Sequence, residues 1–299
     1  MTLSQIRAFV AVAQYNGFTA AARALGTSHS TLSSQIQSIE REYGGELFHR
    51  RSRRVELSAL GLGLLPLARR MVTLESDMTA LLDDSGALRR GFLKIGAVGP
   101  YHVTEMIEAY HELYPGIKLS VALGNSEVVL DELDKYLCDV GVLASWLPDE
   151  RYYMQPYARY PVIAFVHKNH RFAGRKSIAL PELTNEPLLM REPGSTTRKA
   201  LEDALLEHGV TVQVAMEIGS REALRESVAR GLGVGTVSMS EYVPDPRLWP
   251  LRIEGDVVST HIHACCLRER RESRLIASFF EAVDLCMRNS GAAEPLTSR

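Results

Sequence analysis

Apolar positions in the first forty residues recur at helical spacing. Leu3, Ile6, Phe9, Val10 and Ala13 form one stripe and predict a first helix of about three turns. Phe18 to Leu25, FTAAARAL, is dense in strong helix formers, and Thr19 stands where an N-cap belongs. Gly26 suits a left-handed residue at a helix end, and Ser28 suits the cap of a third helix whose Leu32, Ile36 and Ile39 form an inward stripe. The connection Gly26 to Ser28 is so short that the two helices must cross steeply, as in a helix-turn-helix.

From Ser58 the rhythm changes. Leu64, Leu67, Met71, Leu74, Met78 and Leu81 alternate spacings of three and four, an a/d seam that predicts one long helix. Pro66 should kink or delay that helix, and Asp83 to Gly91 should break it. A seam of this length needs a partner, and a second copy of the same helix is the simplest one.

Beyond Gly91 the texture is α/β. FLKIGAVG predicts a buried strand, residues 103–114 a helix, IKLSVALG a strand, 126–136 a helix and CDVGVLA a strand. PVIAFV, a helix from about Thr196 to His208, VQVAMEIG, a helix from Ser220 to Arg230 and GVGTVS follow in similar order. GNSEVVLDEL before CDVGVL resembles IGSREALRES before LGVGTV, so this segment reads as an internal duplicate. Two similar α/β lobes joined by chain crossings predict a hinged pair about a cleft, where strand ends and helix N-termini meet. The last helix, Arg274 to Met287, should return to the first lobe. The expected organisation is a winged helix-turn-helix over 1–58, a linker helix over 59–89 and a two-lobed α/β domain over 90–299. Within that domain, lobe I takes 90–160 and 266–299, and lobe II takes 161–265.

The chain has 299 residues, 45% hydrophobic and 23% charged, which fits several folded domains and adds nothing more. Its net charge of −2 is uninformative, but the distribution is not: no lysine precedes Lys94, so the N-terminal cations are all arginines, suited to phosphate and guanine edges. Cys138, Cys265, Cys266 and Cys286 show no CxxC spacing, which fits a reducing compartment. The N-terminus carries no basic leader and only a six-residue apolar run, and no stretch is long enough for a membrane span. A cytoplasmic protein is expected.

The candidate chemistry lies in three places. Ser28, His29, Ser30, Ser33, Ser34 and Gln37 line the outward face of the third helix, with short donors and acceptors that can approach base edges in a major groove. Arg50, Arg51, Arg53 and Arg54 sit between two strand-like runs, ELFH and VEL, and read as a wing that holds phosphate. Asn125 with Ser126, Ser195 with Thr196 and Thr197, and Ser220 with Arg221 each open a helix. Free N–H groups there collect anions, although ordinary capping explains any one of them equally well. Tyr101 and His102 follow the first strand of the α/β half, where a ligand's other end would lie. HIHACC puts His261, His263 and Cys265 on one strand face without a further ligand pair, so buried packing is favoured over a metal site. GLGVG at 231–235 leaves a helix and enters a strand, the reverse of a dinucleotide fingerprint. No P-loop, nucleophile elbow or metalloprotease motif occurs, and neither cofactor nor metal is expected.

The stretch FVAVAQYNGFTAAARALGTSHSTLSSQIQSIEREYGGELFHRRSRRVELSALG closely resembles the N-terminal signature of LysR-type transcriptional regulators. That resemblance runs the whole length and implies a two-lobed effector domain similar to periplasmic binding proteins. It implies double-stranded DNA, a small anionic effector, a homo-oligomer (dimer or tetramer) and RNA polymerase as partners, and no enzymatic activity. Two positions depart from many family members: His29 stands where glutamine is common, and Ser34 where arginine is common, so base preferences do not transfer. GAVGPYHV, MREPGSTTR and IGSREA resemble a subgroup associated with aminoethylphosphonate catabolism, which makes 2-aminoethylphosphonate or a related phosphonate the expected effector. The alternatives are a carboxylate metabolite or oxidation acting on the same fold, or an α/β enzyme with a fused DNA-binding domain and His102 or His111 as its base.

Overall fold

The computed structural model describes residues 1–49, 55–82, 91–144 and 149–290. The chain divides into two compact units, Met1–Ala87 and Leu88–Arg299.

In the first unit α1 (Leu3–Tyr15) starts in a capping box, in which the Thr2 hydroxyl accepts from the Gln5 N–H. Helix α2 (Phe18–Ala24) has Gly17 rather than the expected Thr19 at its N-cap, so the alanine-rich turn begins two residues earlier. Gly26 is left-handed, with φ 63°, and ends the turn that leads to α3 (His29–Tyr43). Ser28 caps α3 by accepting from the Thr31 N–H at 3.0 Å. Ile6, Phe9 and Val12 meet Leu32, Ile36 and Ile39 in one buried core. Glu40, near the end of α3, accepts from the Leu47 N–H at 2.9 Å and so fixes the start of the antiparallel pair β1 (Phe48–His49) and β2 (Glu56–Leu57). The arginines Arg50, Arg51, Arg53 and Arg54 fall outside the described residues, as does most of the expected break at Asp83 to Gly91.

Helix α4 (Ala59–Leu82) begins before Pro66 and contains it, so the proline does not delay the helix. Near its start, Gly61 lies so close to the Leu47 carbonyl that a Cβ would stand 2.2 Å from that oxygen. Leu64, Leu65, Ala68 and Val72 pack on the first-unit core. Leu67, Met71, Leu74 and Met78 are turned away from it, at 60%, 46%, 49% and 62% exposure.

The second unit contains β3 (Gly91–Ala97), α5 (Pro100–Leu113), β4 (Ile117–Leu123), α6 (Ser126–Asp134), β5 (Val140–Leu143) and the long β6 (Tyr152–His167). After these come β7 (Ser177–Ile178), β8 (Pro187–Arg191), α7 (Thr196–Glu207), β9 (Gln213–Ile218), α8 (Arg221–Ala229), β10 (Val234–Ser238), β11 (Leu248–Ile253), β12 (Ser259–Leu267) and α9 (Arg274–Ser290). Strand order is β4-β3-β5-β12-β6-β10-β8-β9, with β11 and β7 branching from β6. Strand β6 belongs to both lobes: Tyr152 to Pro161 pair with β12, whereas Val162 to His167 face β10 and β11. This places the first crossing at Pro161–Val162.

The return crossing comes earlier than the expected 265–266 boundary. All of β12 pairs with the lobe I half of β6, and Ile262, Ala264, Cys265 and Cys266 bury their side chains in the lobe I core. The apolar run of β12 is satisfied there beside Phe279, Phe280 and Val283 of α9. Lobe II has its own core around Val162, Ala164, Leu188, Leu201 and Val234, with Phe165, Leu224 and Val228 clustered separately.

Candidate DNA-reading helix and interlobe cleft

Ser28, His29, Ser30 and Ser34 are exposed on α3, and Ser33 and Gln37 are half-exposed, opposite the buried Leu32, Ile36 and Ile39. The Ser28 hydroxyl is tied to Ser30 at 2.9 Å and to Thr31 at 2.8 Å, so part of the face is already ordered by its own cap. His29 leans on Phe18, with ring centroids 5.8 Å apart, which positions the imidazole from the preceding helix.

Between the lobes, the helix starts expected to converge on one point divide between two cavities. The first, about 260 Å³, is lined by Tyr101, Thr197, Arg191, Arg221, Arg225 and Glu241, among others. The second is wider, about 910 Å³, and takes Ser126, Ser195 and Thr196. Direct contacts join the lobes along the cleft. Ser126 and Thr196 share a hydroxyl hydrogen bond at 3.2 Å, and Asn125 Nδ2 reaches the Pro193 carbonyl at 3.5 Å. Arg221 Nη1 donates to the Val98 carbonyl at 2.7 Å.

Each expected cap also does ordinary capping. Asn125 accepts from Val128 N–H, Ser195 from Arg198 N–H and Ser220 from Ala223 N–H. Ser220 additionally donates to Glu222, which turns its hydroxyl proton away from any ligand. His102 lies behind the first cavity rather than on it. Its ring stacks on Tyr160 at 4.9 Å and its Nε2 meets the Ser240 hydroxyl at 3.1 Å.

Burial lowers the His102 pKa, against a smaller upward pull from Glu105. Burial likewise lowers His261 and His263. The unfolded chain therefore binds more protons than the folded one below the ordinary value of 6.5, and stability rises with pH there. We expect thermal melting of the full chain to hold steady above that pH and to fall progressively below it. His102→Gln should flatten the acid limb; an unchanged limb would remove His102 as a contributor.

His263 and Cys265 are buried in β12, and His263 Nδ1 donates to the His261 carbonyl at 3.0 Å. Among the described residues no group of three His, Cys, Asp or Glu side chains is placed to hold a metal. The four cysteines are free and buried, and burial pushes the Cys138 and Cys266 thiols up to about 12.

The sequence reading missed Arg191, Arg225 and Glu241. Arg225 carried a usable signal, being one helical turn after Arg221. Arg191 ends a strand whose short apolar run was not recognised, and Glu241 lies in the single 3-10 turn Met239–Glu241, which no periodicity marks.

Among the described residues no helix is long and apolar enough to cross a membrane. Residues 3–62 match the family model for the bacterial regulatory helix-turn-helix protein of the lysR family, and 86–285 match the LysR substrate binding domain. The transcriptional activator CmpR of Synechocystis sp. is 27% identical over 94% of this chain and 94% of its own. A full-length OxyR variant from Pseudomonas aeruginosa superposes with a TM-score of 0.81 at 23% identity, covering 100% of this chain and 98% of its own. Full-length CbnR complexed with its target DNA superposes at 0.70 and 21% identity, covering 96% and 100%. With a helix-turn-helix, a two-lobed effector-binding domain and family matches across both, the chain belongs to the LysR family of DNA-binding transcriptional regulators.

Proposed function

We propose that this regulator answers to a small anionic effector held between the lobes, 2-aminoethylphosphonate or a related phosphonate. The lining of the first cavity carries the reading. Arg191, Arg221 and Arg225 all reach it. Arg191 pairs with Glu192 and Arg221 with Glu241, whereas Arg225 interacts with the charge of Asp245. A guanidinium left in a half-closed cavity favours an incoming anion, and a phosphonate's oxygens accept charge-assisted bonds from it. Glu222 on the same wall suits the ammonium end of a zwitterion. Oxidation is the weaker signal, because thiols pushed up to about 12 by burial hold little thiolate.

On the DNA side, His29, Ser30, Ser33 and Ser34 are assigned to bases, Ser28 and Gln37 to the edges of the same contact, and Arg50, Arg51, Arg53 and Arg54 to phosphate. The exposed seam of α4 pairs with a second copy, as a dimer or within a tetramer, and presents two reading helices to a two-fold symmetric site. Contact with RNA polymerase belongs to the same reading, as the step that turns binding into altered transcription.

Two measurements test these assignments. A symmetric duplex should shift in a gel, and calorimetry on the full chain should show heat with 2-aminoethylphosphonate and much less with ethanolamine, which lacks the anion. Arg53→Ala should weaken binding to all duplexes alike and reduce the salt slope by about one. A change of base preference at constant slope would move Arg53 from phosphate to bases.

A further inference from the structure

Glu241 is the acidic group most enclosed in the cleft, its side chain only 6% exposed. Its Oε2 is 2.9 Å from Arg221 Nε. The same guanidinium donates to the Val98 carbonyl of lobe I, so one arginine ties the lobe II carboxylate to the other lobe. On the lobe I side the carboxylate lies against Gly99, the N-cap of α5, where a Cβ would stand 2.5 Å from Glu241 Oε1. A Cβ at this position would push the Glu241 carboxylate out of the slot. Gly99 offers no side-chain cap, and Pro100 at the first helical position has no N–H. The partial positive charge of the α5 N-terminus therefore faces a carboxylate supplied by the other lobe.

We infer that Glu241 is a resident counter-anion of the cleft: it holds the anion position between Arg221 and the first turn of α5 until the effector's anionic group displaces it. This rests on the reading of the effector as an anion and adds how the empty site is kept occupied. The cavity next to the slot has room for a small molecule, and Arg225 on its wall receives the incoming charge before Arg221 is released. Burial raises the Glu241 pKa, with Arg221 and Arg191 pulling the other way. The carboxylate thus sits in its slot at a desolvation cost that eases its departure. Glu241 ends the 3-10 turn Met239–Glu241, whose Ser240 touches His102 of α5. Displacing the carboxylate therefore loosens one turn that bears two interlobe contacts. Effector binding is in this way coupled to the fit between the lobes.

Competition from a tethered anion lowers apparent affinity, so removing its charge raises it. Inorganic phosphate and 2-aminoethylphosphonate are titrated calorimetrically into the full-length wild type, Glu241→Gln, Glu241→Ala and Gly99→Ala, with circular dichroism melts confirming folding. Both Glu241 variants should bind each probe at least tenfold more tightly than wild type. Gly99→Ala, whose methyl fills the slot, should bind more weakly. Wild-type binding with equal or weaker binding by folded Glu241 variants overturns displacement while leaving the anionic effector in place. Absence of heat from every protein with both probes overturns the anionic reading, and the counter-anion with it.

Discussion

Full-length chain carrying Met71→Glu and Met78→Glu together should elute at the mass of a single chain and protect a shorter DNA segment than wild type. The two methionines lie on the side of α4 that its own core does not use. Leu64, Leu65, Ala68 and Val72 pack inward, while Leu67, Met71, Leu74 and Met78 form an apolar row on the outside. Such a row is what a paired helix buries, and each methionine removed from water contributes about 1.5–3 kcal/mol. Placing carboxylates there puts two charges from each chain into one seam. Burying unpaired charge costs several kcal/mol per group, roughly, and the like charges also repel. Within the monomer these positions are about half exposed, so the first unit should keep its melting temperature. Val72→Glu is the contrasting change, since Val72 packs on the core and its loss should lower stability without needing a partner. Wild-type mass, footprint and cooperativity in the double variant would assign the seam to something other than self-pairing.

The same helix shows how far pattern reading reaches. Spacing of three and four marked the seam, and Leu32, Ile36 and Ile39 marked the buried side of α3, because both faces repeat over several turns. Short elements carried no such repetition. Glu40 capping the Leu47 N–H, Gly61 admitting the Leu47 carbonyl and the strand β8 are single events in sequence. The lobe boundary shows the limit differently. PVIAFV was read as a separate strand, but it is the second half of β6, whose first half runs through polar and aromatic residues that share no simple alternation. The helix starts were legible because serine, threonine and asparagine cap for a local reason. Their convergence was not, since the division of Thr197 and Ser126 between two cavities is decided by how the lobes meet.

Calorimetry on folded, full-length variants should assign the phosphonate to one of those cavities by a large loss of affinity. Arg225→Ala is expected to weaken 2-aminoethylphosphonate by roughly tenfold to a hundredfold, the value of about 1.5–3 kcal/mol for a hydrogen bond to a charged group. Arg221→Ala should cost at least as much, because it removes a cavity cation and also the bridge to the Val98 carbonyl. Their combined effect should fall short of the sum, since the two side chains are one turn apart on α8 and share one ligand. Ser195 separates the alternatives. Its hydroxyl caps α7 and opens on the second cavity, so Ser195→Ala alone should leave phosphonate affinity within a few-fold of wild type while costing about 1 kcal/mol of helix stability. The reverse pattern, loss with Ser195→Ala and none with Arg225→Ala, would move the ligand to the wider cavity beside Ser126 and Thr196. Full affinity in Ser195→Ala, Arg221→Ala and Arg225→Ala alike would leave the serine as a cap and the arginines as surface partners of Glu241 and the helix ends, with no anion site between the lobes.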